Sequence, residues 1–219
     1  MIVRVYEQAL KADLGPVIIA CAEQEIANGI NDLGGQAVLT DPNLPSGSDR
    51  VFQAAELFDP SRTYSIILNL QGDMPLISPK VLMQTVGVLD DHPHADIATA
   101  IIAMLDKAEI ADPNVVKAIV TQNGQALYFR RQILPYSADT AFHHIGIYAY
   151  RRQALETFCQ LPPSPLETQE RLEQLRALEH GMHIQCVKIL SEQKETLRGV
   201  DTAEDLDAVR KTLANINEN

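Results

Sequence analysis

Ile66-Ile67-Leu68-Asn69-Leu70-Gln71-Gly72-Asp73-Met74-Pro75 is the stretch that decides the fold. Its apolar opening predicts a strand buried on both faces, and Pro75 blocks extension past Gln71-Gly72-Asp73. An acidic side chain is thereby held at the carboxyl end of a rigid strand. Open α/β sheets receive their ligands at that end, where a carboxylate can hold a divalent cation. A plain strand-ending turn is the alternative.

Working outward, strand and helix alternate. An amphipathic helix covers 2–12, with Ile2, Val5, Tyr6, Ala9 and Leu10 on one face. Strands are expected at Val17–Cys21, Gln36–Thr40 and Asp96–Met104, and helices at Glu23–Leu33, Arg50–Phe58 and from Ser78-Pro79 to about Asp90. That rhythm predicts a parallel sheet covered on both faces. The second half changes pattern. Asn123-Gly124 joins Val115–Thr121 to Ala126–Phe129 as a hairpin, and His143–Tyr150 is a further strand. Arg152–Leu161 is a helix. Ser164-Pro165-Leu166-Glu167 opens another that runs to Gly181, with a Ser cap, an N-terminal Pro and a capping-box Glu. Ile184–Ile189 is the last strand, and Asp201–Asp205 starts a final helix.

Composition narrows the class. The chain has 219 residues and a formal net charge of −11. It suits one sizeable domain and lacks the basic footprint of a nucleic-acid binder, though local Arg and Lys could still hold a nucleotide. Three distant cysteines, Cys21, Cys159 and Cys186, read as buried reduced thiols of a cytosolic protein. No apolar run approaches membrane-spanning length.

Several segments carry candidate chemistry. In Pro45–Arg50, Ser46 and Gly47 let backbone approach a ligand and Arg50 offers a fork for phosphate or carboxylate; a helix cap at Ser48 or Asp49 is the alternative. Asp201 beside Gly199 is either a cap or the second carboxylate that a cation at Asp73 needs. His144, Gly146, Tyr148 and Tyr150 share a strand face, read as a polar floor with room beside Gly146 or as an ordinary half-buried strand. Within the 165–180 helix, Leu172, Leu175 and Leu178 form a stripe. Glu173 projects nearly opposite, between Leu166 and Ala177, toward a cleft, a partner or solvent. Arg131 at a strand end, and Lys117, are anion-capture candidates or surface cations.

Together, Ser46–Arg50, Asn69–Pro75, Asp112–Lys117, Ala126–Arg131, His144–Tyr150, Ser164–Arg176 and Gly199–Leu206 closely resemble the 3-deoxy-manno-octulosonate (Kdo) cytidylyltransferases, in family order across nearly the whole chain. The resemblance implies a single α/β domain over 1–219. Its sheet is Rossmann-like and mostly parallel, with helices on both faces and a small mixed β subregion. It implies transfer of CMP from CTP to Kdo, giving CMP-Kdo and pyrophosphate for lipopolysaccharide synthesis, in a cytoplasmic, Mg²⁺-dependent homodimer. A sister transferase for another acidic sugar, or a non-catalytic remnant, is the alternative. Asp73 and Asp201 match metal-binding aspartates. Gln71, Arg131, His144, Tyr148, Glu173 and Gln174 match sugar-site positions, Arg131 being expected to pair with the Kdo carboxylate. Ser46, Gly47 and Arg50 match a loop near the nucleotide.

The chain also departs from the pattern. Met74, Leu44-Pro45 and Ala22 stand where other residues are frequent. The family opens with a strand and a triphosphate-gripping loop, whereas Met1–Val5 aligns to the helix that follows. Neighbours of that strand are expected to be unpaired, and the polypeptide as written to fold poorly alone and turn over little.

Overall fold

The computed structural model describes residues 1–104, 107–132, 141–197, 199–200 and 202–217. In chain order the elements are α1 (Ile2–Lys11), β1 (Ile19–Cys21), α2 (Gln24–Asp32), β2 (Ala37–Leu39), α3 (Gly47–Phe58), β3 (Ile66–Asn69), α4 (Pro79–Asp91) and β4 (Ile97–Ala103). Then follow α5 (Lys107–Ala111), β5 (Lys117–Val120), β6 (Ala126–Arg130), β7 (Ala141–Arg151), α6 (Arg152–Gln160), α7 (Pro165–Glu170), α8 (Gln174–Glu179) and β8 (Ile184–Ile189). A 3-10 turn, Ser191–Leu197, and α9 (Ala203–Asn217) end the chain.

The main sheet runs β6-β5-β7-β4-β8, with β3 joined to β7. β7 is long enough to serve two neighbours on one edge. Its start pairs with β5 and its end with β3, while β4 runs along the other edge. Among the described residues all pairings of β7 are antiparallel, and only β4 with β8 is parallel in this sheet. The expectation of a mostly parallel sheet is therefore corrected. Strand–helix alternation in the first half gives the direction of those strands, but β7 enters among them from the hairpin side and runs against both β3 and β4.

Helices do cover both faces. On one, Tyr148, Tyr150, Phe129 and Ile101 pack against Leu155, Phe158, Leu172 and Leu175. On the other, Ile102, Ile145 and Ile147 pack against Ile77, Val81, Leu82 and Leu197. The hairpin forms as expected. Gly124 turns with φ 87°, and a Cβ there would sit 2.7 Å from the Cys186 carbonyl, so only glycine fits.

β1 and β2 form a separate parallel pair, packed on α2 and on Ile2 and Tyr6 of α1. Among the described residues, β1 pairs only with β2 and β3 only with β7. A groove of about 570 Å³ lies between them, lined by Val17–Ala20 on one side and Ser65–Gly72 on the other. Each of these strands thus has a described partner on one edge, β2 for β1 and β7 for β3. The same groove corrects the reading of β3 as buried on both faces, because Ile66, Ile67 and Leu68 are only half-buried.

Candidate active site

The turn after β3 is where separate parts of the chain meet. Asn69 is buried, and Gln71 Nε2 donates to its Oδ1 at 3.2 Å. A Cβ on Gly47 would lie 3.7 Å from the same Gln71 nitrogen, so α3 begins against this turn. Two residues on, the Asp73 carbonyl accepts from Val200 N at 2.9 Å. Asp73 Oδ2 lies 3.5 Å from the point where a Cβ on Gly199 would stand. The strand-end carboxylate and the Gly199–Val200 segment therefore do come together. Asp201 itself lies outside the described residues.

A second group forms at the amino end of α3. The helix starts at Gly47, earlier than expected, and its cap is Ser46 rather than Ser48 or Asp49. Ser46 Oγ donates to Asp49 Oδ2 at 2.7 Å and accepts from Asp49 N. That frees Ser48, whose hydroxyl donates to Glu173 Oε1 at 2.9 Å and lies 3.3 Å from Tyr150 Oη. Burial raises the Glu173 pKa, opposed by the Ser48 and Ser46 hydroxyls and by Arg176. Arg50 donates to Thr40 Oγ1 at 2.6 Å and borders the groove together with Gly47 and Gln71.

Glu173 reaches this place through a break that periodicity does not show. The expected single helix to Gly181 is two helices, with Arg171 between them in the left-handed region (φ 55°, ψ 50°). Leu172 and Leu175 stay buried across the break, while Ala177 is core rather than part of a second open surface. The predicted capping box at Ser164 and Glu167 is present. Glu167 also holds Arg176 through two contacts, at 2.8 and 2.5 Å. Gln174 is buried.

The face of β7 carrying His144 and Tyr148 is an aromatic stack. Ring centroids run Phe129–His144 4.8 Å, His144–Tyr148 5.4 Å, Tyr148–Tyr150 5.9 Å and Tyr150–Phe158 6.0 Å. The stack packs against Phe158, Leu172 and Leu175, and beside it the expected room is present, since a Cβ on half-buried Gly146 would meet nothing within 4 Å. Thr99 gives its proton to the Ile147 carbonyl at 2.7 Å, so it accepts from His144 Nε2 at 2.9 Å, which fixes the tautomer. Burial pushes the His144 pKa down to about 3, and the ring is neutral.

Lys117 and Arg131 are held by backbone carbonyls. Lys117 is fully buried; its Nζ donates to the Asp112 carbonyl and, at 2.8 Å, to that of Arg131. The Arg131 guanidinium donates to the carbonyls of Glu170, Pro113 and Arg171 at 3.1, 3.3 and 3.4 Å. Arg131 therefore braces the end of the hairpin against the α7–α8 joint that carries Glu173, while Lys117 ties the segment before β5 to the end of β6. Ser48 and Tyr150 are the site members not assigned from sequence. Their signal was present, a second serine at a helix start and a fourth member of the β7 face, but only folding shows that they meet.

The mixed, helix-covered sheet carries an acidic turn at a strand end beside a helix amino terminus, and its likeness to known proteins makes it a nucleotidyltransferase. A family model described as cytidylyltransferase matches residues 1–184. The 3-deoxy-manno-octulosonate cytidylyltransferase of Rhodospirillum rubrum is 46% identical over 219 residues, covering 97% of this chain and 85% of the relative. That of Rhodospirillum centenum is 47% identical over 218 residues, covering 97% and 83%. A solved CMP:2-keto-3-deoxy-manno-octonic acid synthetase complexed with CTP superposes with a TM-score of 0.87 at 35% identity, covering 98% of this chain and 87% of that one. The chain belongs to the 3-deoxy-manno-octulosonate cytidylyltransferase family.

Proposed function

We propose that this chain transfers CMP from CTP to the anomeric hydroxyl of Kdo, releasing pyrophosphate and supplying CMP-Kdo for lipopolysaccharide synthesis. The approach of the Asp73 turn to Gly199–Val200, in a chain 46% identical to a named Kdo cytidylyltransferase, carries the reading. The new bond joins the acceptor oxygen to the α-phosphorus, and the α–β phosphoanhydride bond breaks. Such a displacement needs positioning and charge neutralisation rather than a covalent nucleophile.

The residues supply those needs. Gly47, the first residue of α3, borders the groove, and a helix amino terminus there would favour phosphate oxygens. Gln71 and Arg50 border the same space. Glu173, oriented by Ser48, would accept from sugar hydroxyls, and Arg131 holds its joint. His144 is a neutral donor committed to Thr99, so it acts by shaping the floor under Tyr148 and Tyr150.

Hard carboxylate oxygens suit Mg²⁺, and the bare Gly199 leaves room at Asp73 Oδ2. Asp73 and Asp201 would hold the ion. Once bound, it would neutralise charge on the phosphate oxygens and lower the pKa of the attacking hydroxyl. The family resemblance supports a cytoplasmic homodimer.

Acceptor choice tests the reading. Pyrophosphate release from CTP, and calorimetric binding, are measured with Kdo, 8-amino-Kdo or N-acetylneuraminate. Release and heat are expected to follow Kdo. A preference for N-acetylneuraminate would contradict it.

A further inference from the structure

Outside the candidate site, the side chains of Glu109, His143 and Lys194, from distant parts of the chain, converge. Glu109 of α5 is held on both oxygens. His143 Nδ1 lies 2.6 Å from Oε1, and Lys194 Nζ lies 2.6 Å from Oε2. The Glu109 carboxylate is only 11% exposed, so its partners matter more than those of a surface pair. His143 belongs to β7, opposite Lys117 of β5 and Ile102 of β4, with backbone pairing on both edges. One end of this chain of contacts is therefore fixed to the sheet.

The other end is not. Lys194 sits in the 3-10 turn Ser191–Leu197, which has no strand partner among the described residues and joins β8 to the segment that meets Asp73. Leu197, buried against Ile77, Val81 and Ile102, anchors the far side of the turn. Three residues later Val200 N–H donates to the Asp73 carbonyl. Lys194 thus holds the near side of the turn through Glu109, as Leu197 holds its far side.

We infer that Glu109 is a positioning residue: braced by His143, it clamps Lys194 and so fixes the turn that delivers Gly199–Val200 to Asp73. The consequence for a bound cation rests on the functional reading above, whereas the clamp itself does not.

Two readouts separate the parts. The first is hydrogen exchange of the Val200 amide, resolved by NMR. Glu109→Gln and Lys194→Met are each expected to speed it about tenfold, the scale of one lost charge-assisted hydrogen bond, with the β4 amides unchanged. Lys194→Arg, which keeps a donor for the carboxylate, is expected to restore protection. The second is Mn²⁺ affinity, expected to fall in Lys194→Met and recover in Lys194→Arg. Wild-type exchange rates in Lys194→Met would overturn the clamp, and this variant at a part-exposed position keeps the test open if Glu109→Gln unfolds. Altered exchange in a protein whose Mn²⁺ binding ignores Asp73 would leave the clamp standing and remove the metal reading instead.

Discussion

Strands β3 and β4 are both short apolar runs, yet they sit in different surroundings. β4 has β7 along one edge and β8 along the other, and six of its seven residues are buried. β3 has β7 on one edge and the groove on the other, and only Asn69 of its four residues is buried. An apolar run codes for a strand; it does not code for how many neighbours the strand will have. The less covered strand is also the one whose turn carries Gln71 and Asp73. These side chains are fixed less by β3 itself than by what reaches them from elsewhere: the start of α3 at Gly47 and the Val200 bond to Asp73. Sites are commonly built at the less stable end of a fold in this way.

Truncating matched side chains would break the comparison or confirm it. Ile101→Ala in β4 removes a fully buried side chain and is expected to cost about 3–5 kcal/mol in urea unfolding. Ile67→Ala in β3 removes a half-buried one and is expected to cost about 1–2 kcal/mol, scaled to its smaller loss of buried area. Equal costs would mean that the groove leaves β3 as well supported as β4.

Acid titration sharpens the buried side. His144, facing Thr99 of β4, has its pKa pushed from 6.5 down to about 3. The unfolded chain takes up this proton first, so the contribution is complete above pH 6.5 and declines as pH falls toward 3. The expected loss at pH 5 is on the order of 2 kcal/mol, with the ring signals of the folded protein unmoved over that range. A ring that titrates near 6.5 would place His144 in contact with water and contradict the packed stack. Carboxylates such as Asp59, held down to about 2 by the Tyr64 amide, lose their contribution only below their ordinary 3.8.

Local chemistry was legible in the residues. Ile184–Ile189, the Asn123-Gly124 hairpin and the Ser164–Glu167 box all stand as read. So was the family, because seven weak segments in order constrain one another. Long-range direction was not legible. Nothing in His143–Tyr150 says that this strand will run against both β3 and β4, since direction depends on which edge is open when it arrives. The helix break was hidden for a different reason. Arg171 takes the left-handed conformation without a glycine to announce it, and Leu172 and Leu175 remain buried through the kink, so the apolar spacing looks unbroken. The roles of Lys117 and Arg131 were equally out of reach, because a cation capped by backbone carbonyls and one awaiting an anion have the same sequence. The Glu109 clamp joins groups from three distant segments that share no pattern.

The proposed transfer depends most on the turn after β3 holding a cation. Mn²⁺ binding in the presence of CTP, followed by electron paramagnetic resonance, tests this without requiring turnover. Asp73→Asn, which keeps the size of the side chain and the backbone bond to Val200, is expected to weaken Mn²⁺ binding at least ~100-fold, beyond the range typical of losing an outer-shell partner, with the unfolding midpoint little changed. Wild-type Mn²⁺ affinity in Asp73→Asn would contradict it.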